Sequence, residues 1–264
     1  MLLGKRLVRT AISILFCSVI AVAQGGSPTV APLPPAGDDS DPTRPVVWSL
    51  REEYYNLPGQ AWNNAFVIRM DRAVFKERPR PLGRNGILAR VDVPFVIAKR
   101  ADGTSAGLGD VYAQTLLLPY QKGRFVLATG SGVFLPTATD RRLGMGKLTV
   151  APVVAPVWFI PKRGFFLVKA QEYFSVAGDN DRPDLHYMTI TPLLVWRLKN
   201  KPYWIQLDGE TQSDWKRDGH TGYKTGFLVG RMTKKRGVWI KVEVGMGPHR
   251  VQTFSIKTSI FKVR

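Results

Sequence analysis

From Gly237 to Met246 the chain alternates strictly, with Val238, Ile240, Val242, Val244 and Met246 on one side and Trp239, Lys241, Glu243 and Gly245 on the other. Successive side chains of an extended strand point to opposite faces, so the segment predicts a strand with one wholly apolar face and one carrying a charge of each sign. A half-buried strand of a soluble sheet reads the same way, so this decapeptide leaves open whether its apolar face meets a protein core or lipid. The pattern recurs. Tyr203, Ile205 and Leu207 oppose Trp204, Gln206, Asp208, Glu210 and Gln212, and Ile87, Val91, Val93, Phe95 and Ile97 oppose Arg90 and Asp92. Arg69 and Asp71 repeat the Arg-x-Asp spacing, so two antiparallel neighbours in register would pair them across strands.

From Val46 onward, short aromatic and β-branched runs predict strands over about 48–56, 66–75, 86–99, 109–120, 124–135, 147–160, 164–177, 185–198, 202–213, 223–233, 238–246 and 251–262. Tight basic turns separate some of them, at 121–123, 161–164, 199–201 and 234–237. Longer polar connections, at 101–109, 137–147, 178–184 and 214–222, separate others. Short and long connections therefore alternate, as they do in an outer-membrane barrel with short periplasmic turns on one rim and longer loops on the other. Twelve strands is an even number and places both ends of the barrel on the periplasmic side. Residues 62–75 also read as a short helix started by Asn63 or Asn64, which would leave ten strands.

Two segments strain the pattern. Residues 164–177 put Lys169 and Gln171 on one face but Glu172 on the other, which predicts a bulge or an end beyond the lipid. Pro152 and Pro156 share a strand and each forfeits a ladder hydrogen bond, a cost that an outer-rim or bulged position would limit.

Lys5, Arg6 and Arg9 precede an uncharged run from Thr10 to Ala23, the pattern of a secretory signal peptide over 1–23. Residues 24–45, with six prolines and an Asp38-Asp39-Ser40-Asp41 cluster, predict an extended linker before a barrel over 46–264. Cys17 is the only cysteine, so a mature chain without the signal has no thiol for a disulfide or a metal site. Loss of the three signal cations lowers the formal charge from +18 to +15. The basic residues are scattered through turns and an exported protein does not normally meet nucleic acid, so outer-membrane lipids, anionic glycolipid and phospholipid among them, and small solutes, acidic ones included, are the expected partners. Basic turns that simply keep hairpin tips solvated account for the same charge.

Gly107-Leu108-Gly109-Asp110-Val111 opens one strand, Leu135-Pro136-Thr137 ends the next, and Leu143-Gly144-Met145-Gly146 opens another. In order and spacing these motifs resemble the outer-membrane proteins named for a meta-pathway of phenol degradation, over roughly Gly107 to Arg264. The resemblance implies a transporter-like β-barrel and no catalysis of phenol degradation.

Catalytic chemistry has little support. His186, His220 and His249 lack metal-ligand spacing, and the Gly107-Leu108-Gly109-Asp110 run lacks a following Gly-Lys. Ser175 with His186 is the nearest nucleophile and base combination, and Asp208 with Glu210 reads more simply as a solvated lumen wall than as an acid and base pair. The sequence thus predicts an all-β protein, an antiparallel up-and-down transmembrane β-barrel of about twelve strands in the bacterial outer membrane, without enzymatic activity, cofactor or metal. The expected role is a passive channel for small solutes, with Arg69, Asp71, Arg90, Asp92, Gln206, Asp208, Glu210, Lys241, Glu243 and Lys257 lining the lumen. A barrel of this size plugged by the same side chains is the alternative, and a lipid-modifying enzyme a third.

Overall fold

The computed structural model describes residues 46–73 and 87–263. The signal and linker over 1–45, and the ends of the predicted strands at 74–75 and 86, lie outside them. The described chain is all strand and connection: β1 Val46–Asn56, β2 Trp62–Ala73, β3 Ile87–Arg100, β4 Gly103–Leu108, β5 Val111–Lys122, β6 Phe125–Leu135, β7 Lys147–Ile160, β8 Gly164–Gly178, β9 His186–Arg197, β10 Tyr203–Asp214, β11 His220–Met232, β12 Arg236–Met246 and β13 Phe254–Val263. Each strand pairs antiparallel with its neighbours. The sheet runs from β2 through β1 and β13 back to β3, and the β2–β3 pairing closes it. Twelve strands make the closed barrel, and β4 is an addition at one rim.

Orientation follows from the alternation. Val238, Ile240, Val242, Val244 and Met246 on β12 are 45–50% exposed, whereas Lys241 and Glu243 between them are 3% and 2% exposed. The apolar face therefore looks out and the charged face in. Phe66, Met70, Phe95, Ile97, Leu207, Phe227, Ile256 and Ile260 continue the exposed apolar band around the barrel. A surface this apolar matches a hydrocarbon solvent better than water.

Three expectations need correction. Residues 62–73 are strand throughout, so the helical reading of 62–75 fails; Ala65, Val67, Arg69 and Asp71 alternate into the barrel and β-pairing on both sides holds them extended. The predicted 101–109 connection is mostly strand, because β3 extends past the rim and β4 folds back on it from Phe95↔Leu108 to Arg100↔Gly103. Below that hairpin β3 pairs with β5, Asp92 opposite Tyr112, and Gly109-Asp110 absorbs the one-residue shift between the two registers. Pro152 and Pro156 lie mid-strand in β7, neither at the rim nor in a bulge. The β6–β7 ladder is continuous past both, and the gaps fall on the β8 side, at Ala151-Pro152 and Ala155-Pro156. A register shift does occur in β8, between Ser175 and Ala177, but Glu172 stays on the outward face and pairs there with His186 at 2.8 Å.

Inside, the end near Val46 and Val263 is apolar. Val46, Leu228, Trp239 and Phe261 pack together, and Leu118, Val126, Val157, Phe165, Leu193 and Val195 form a second cluster, with Trp204 touching both. Gly230 lies directly opposite Trp204, and a Cβ there would sit 2.1 Å from the indole. The missing side chain is thus the space the ring occupies, an aromatic covering a strand glycine.

Candidate functional site: a charged wall facing an inward loop

One side of the interior is built from the period-two faces of β1 to β3. Arg69 grips Asp92 with two parallel bonds, Nε to Oδ1 at 2.7 Å and Nη2 to Oδ2 at 2.6 Å, and Arg90 grips Asp71 in the same way at 2.7 and 2.6 Å. The two residue pairs are direct cross-strand partners, so the repeated Arg-x-Asp spacing does produce reciprocal forks. Arg51 on β1 adds a bond from Nη2 to Asp92 at 2.9 Å and an ion pair from Nε to Glu53 at 3.1 Å. Glu53 accepts the Tyr55 hydroxyl proton at 2.6 Å.

A second cluster rises from β10 to β13. Lys241 Nζ bridges Asp208 at 3.0 Å and Glu243 at 2.9 Å, and Lys257 Nζ meets the other Glu243 oxygen at 2.6 Å. Gln206 donates to Asp208, Ser255 donates to Glu243, and Lys224 pairs with Glu210 at 3.1 Å. Lys257 also lies 5.1 Å from the centre of the Tyr55 ring, which joins the two clusters across β1 and β13. Nine of the ten residues predicted to line the lumen are buried on this inner wall; Glu210 is partly buried.

Among the described residues these ion pairs join six cations (Arg51, Arg69, Arg90, Lys224, Lys241, Lys257) to six carboxylates (Glu53, Asp71, Asp92, Asp208, Glu210, Glu243), and Lys169 on the inward face of β8 adds a further positive charge acting on Glu210. Closed pairing is what makes such burial tolerable, since an uncompensated buried charge costs several kcal/mol. Arg51, Glu53, Tyr55 and Lys224 are absent from the sequence-predicted set. The signal for the first three was present in Ser49, Arg51, Glu53 and Tyr55, which share one face of β1. Lys224 stands alone among glycines at 222, 226 and 230, and no polar neighbour marks its face.

Facing this wall is the β6–β7 connection, which turns into the barrel. Asp110 organises it: Oδ2 accepts the Met145 N–H at 2.5 Å and Oδ1 accepts the Ala138 N–H at 3.2 Å. A Cβ on Gly144 would meet Asp110 Oδ1 at 2.4 Å and the Ala138 side chain at 2.5 Å, so only glycine lets the loop close over the carboxylate. Thr137 Oγ1 donates to Gly109 O and accepts from Val111 N–H, stitching the same two segments. Leu143 is driven inward and buried with Ala65, Val67, Val96 and Ala98. Met145 packs with Phe134, Tyr112, Tyr173 and Tyr187. At the outer surface Arg142 donates to Asp102 at 3.1 Å, and that bond holds the Asp102 carboxyl below the usual carboxylate range. The three motifs around Asp110, Leu135 and Leu143 therefore meet in one knot at the outer mouth, although they are separate in sequence.

A cavity of about 70 Å³ remains between loop and wall, lined by polar residues that include Glu53, Arg100, Asp110 and Arg142 and by apolar ones that include Val67 and Leu143. A second, of about 240 Å³, opens at the mouth beside Asp110, Asp140, Arg141, Asp179 and Arg182.

The histidines and Ser175 are elsewhere. Ser175 donates to Asp184 and accepts from Leu185 N–H, whereas His186 pairs with Glu172, so the nearest nucleophile and base do not engage one another. His220 and His249 stack at the outer rim with centroids 4.0 Å apart. Among the described residues no group of three His, Cys, Asp or Glu side chains is placed to hold a metal ion.

No family model matches the chain, and no curated protein matches it in sequence. Solved structures do. An outer membrane channel of Pseudomonas putida F1, described as COG4313, superimposes with a TM-score of 0.69 at 10% identity, over 88% of this chain and 100% of that one. The fold is that of an outer-membrane β-barrel. The KdgM porin in complex with disordered oligogalacturonate gives 0.51 at 7% identity, over 81% and 98% of the two chains. The translocator domain of the autotransporter NalP from Neisseria meningitidis gives 0.51 at 8%, over 84% and 88%. At these identities the likeness extends to architecture alone. None of these names a phenol meta-pathway.

Proposed function

We propose that this protein is a passive channel of the bacterial outer membrane for small polar solutes. The observation that carries the reading is the inner wall, where six cations and six carboxylates line one side of a closed barrel whose outside is apolar. Such a wall offers a charged solute replacements for its hydration shell of either sign. The architecture shared with the COG4313 channel and the KdgM porin supports it. Passage requires the loop carrying Leu143 and Met145 to move outward, because both side chains are buried inside the barrel mouth. The reading assigns no catalysis, in keeping with the separate engagements of Ser175 and His186.

Recording across planar bilayers on refolded protein tests the proposal. Discrete conductance steps are expected, and Asp208→Asn with Glu210→Gln should shift the reversal potential toward anion preference. Silence across voltage and salt would reject the channel reading. A plugged barrel is then the second reading. The complete burial of Phe134, Phe165, Leu228, Gln206 and Lys257 inside the described barrel favours it.

A further inference from the structure

Among the described residues, the two ends of the barrel treat charge in opposite ways. At the outer rim cations and carboxylates neutralise each other, as in Arg142 with Asp102 and Lys147 with Asp184. At the other rim the turns 121–124, 161–164, 198–202 and 233–236 contain Lys and Arg without a single Asp or Glu. Among the described residues, none of the cations in these four turns forms an ion pair with a carboxylate. They are left for an external anion.

Their position says which kind. Directly above the first two of these turns the outward face carries an aromatic strip: Tyr120 and Phe125 are 6.0 Å apart, Phe125 and Trp158 5.3 Å, and Trp158 and Phe166 5.9 Å. One turn cation, Arg163, lies over Trp196 at 5.6 Å, and Arg231 at the end of β11 lies over Tyr203 at 5.8 Å, both rings on the same outward face. Aromatic rings at the edge of an apolar band sit at headgroup level, and guanidinium groups stacked on them are held at the depth of lipid phosphates. An acidic protein docking from the periplasm would meet cations at the turn tips, but it would not require them to lie back along the lipid-facing wall.

We propose that the rim formed by these four turns is a binding belt for anionic phospholipid headgroups of the periplasmic leaflet. Each phosphate is held by a cation from a turn and the acyl chain lies on the aromatic strip beside it. Electrostatic attraction of this kind is short-ranged and screened by salt. The inference rests on membrane placement of the barrel but not on conductance.

The test uses quenching of tryptophan fluorescence in nanodiscs by lipids brominated on the acyl chain. Full-length protein is reconstituted into phosphatidylcholine discs containing the same small fraction of brominated phosphatidylglycerol or brominated phosphatidylcholine. Severalfold stronger quenching by the phosphatidylglycerol is expected, because Trp158 lies on the strip and Trp196 lies beneath Arg163 on the same outward face. The preference should fall to parity at high salt and in a variant combining Lys162→Gln, Arg163→Gln, Lys199→Gln and Lys201→Gln. It should survive inorganic phosphate at matched ionic strength, since a free anion gains nothing from the aromatic strip. Equal quenching by both lipids in the parent protein overturns the proposal, as does a preference retained by the quadruple variant. Parity between lipids together with capture of polyglutamate in detergent would mark the rim as a docking surface for acidic protein and would equally overturn it. A heat-dependent gel shift confirms that each variant is a folded barrel; its loss in the parent protein would reject membrane placement itself.

Discussion

Asp110, in the break between β4 and β5, accepts the backbone N–H of Met145, which lies thirty-five residues further along the chain. That bond and its companion to Ala138 tie the β6–β7 loop into the barrel mouth. Replacing Asp110 with Ala leaves two loop N–H groups without their acceptor, and bonds to a charged group are worth about 1.5–3 kcal/mol each. The variant should cleave faster with trypsin at Arg141 and Arg142, and in bilayers it should spend a larger fraction of time conducting. Unchanged cleavage would show that Thr137 and Leu143 suffice to hold the loop.

The fork between Arg90 and Asp71 is fully inside the barrel, with side-chain exposures of 2% and 0%. Arg90→Met strands a buried carboxylate and should cost about 3–5 kcal/mol, whereas Arg90→Met with Asp71→Leu should recover most of that loss. Urea unfolding in detergent micelles, followed by the heat-dependent gel shift, measures both. A double variant as unstable as the single would show that the pair is held for more than mutual neutralisation.

Asp184 in the β8–β9 loop receives a bond from Lys147 at 3.0 Å, and this bond together with the ammonium charge lowers its carboxyl below the usual range. A lowered folded value means the contact stabilises the loop above the ordinary carboxylate pKa of about 3.9 and is lost as pH falls through the folded value. Hydrogen exchange at the Leu185 amide, which Ser175 accepts, should therefore accelerate in strong acid beyond its intrinsic pH dependence. Lys147→Met should remove the acceleration by loosening the loop at every pH.

Gly230→Ala places a methyl group into the Trp204 ring and should destabilise the barrel by about 1–3 kcal/mol through overpacking. A red-shifted, more quenchable Trp204 emission in a background with the other tryptophans replaced would report the displaced ring.

Strand positions were legible in the sequence because the outward face is apolar and much of the inward face is polar, and alternation is then a direct record of facing. The same logic identified Arg69, Asp71, Arg90 and Asp92 as mutual partners, since a repeated spacing on neighbouring strands leaves one sensible pairing. Residues 101–109 escaped it because Gly103, Ser105 and Gly107 carry no apolar face to alternate; β4 owes its conformation to the ladder offered by β3. Asp110 escaped for a different reason. Its partners are backbone N–H groups of a distant loop, and main-chain donors leave no mark on residue identity beyond the small side chain at Gly144.

The pairing of cations with carboxylates on the inner wall has an evolutionary corollary. A single substitution that changes the charge of any member leaves one unit of charge enclosed by protein, so neighbouring sequences are reached by exchanges that alter two positions at once or that preserve charge. The outward face and the turns carry no such bookkeeping. Drift in net charge among descendants of this chain should therefore accumulate on the rims, while the interior changes by swaps, Arg for Lys or Asp for Glu, and by paired loss.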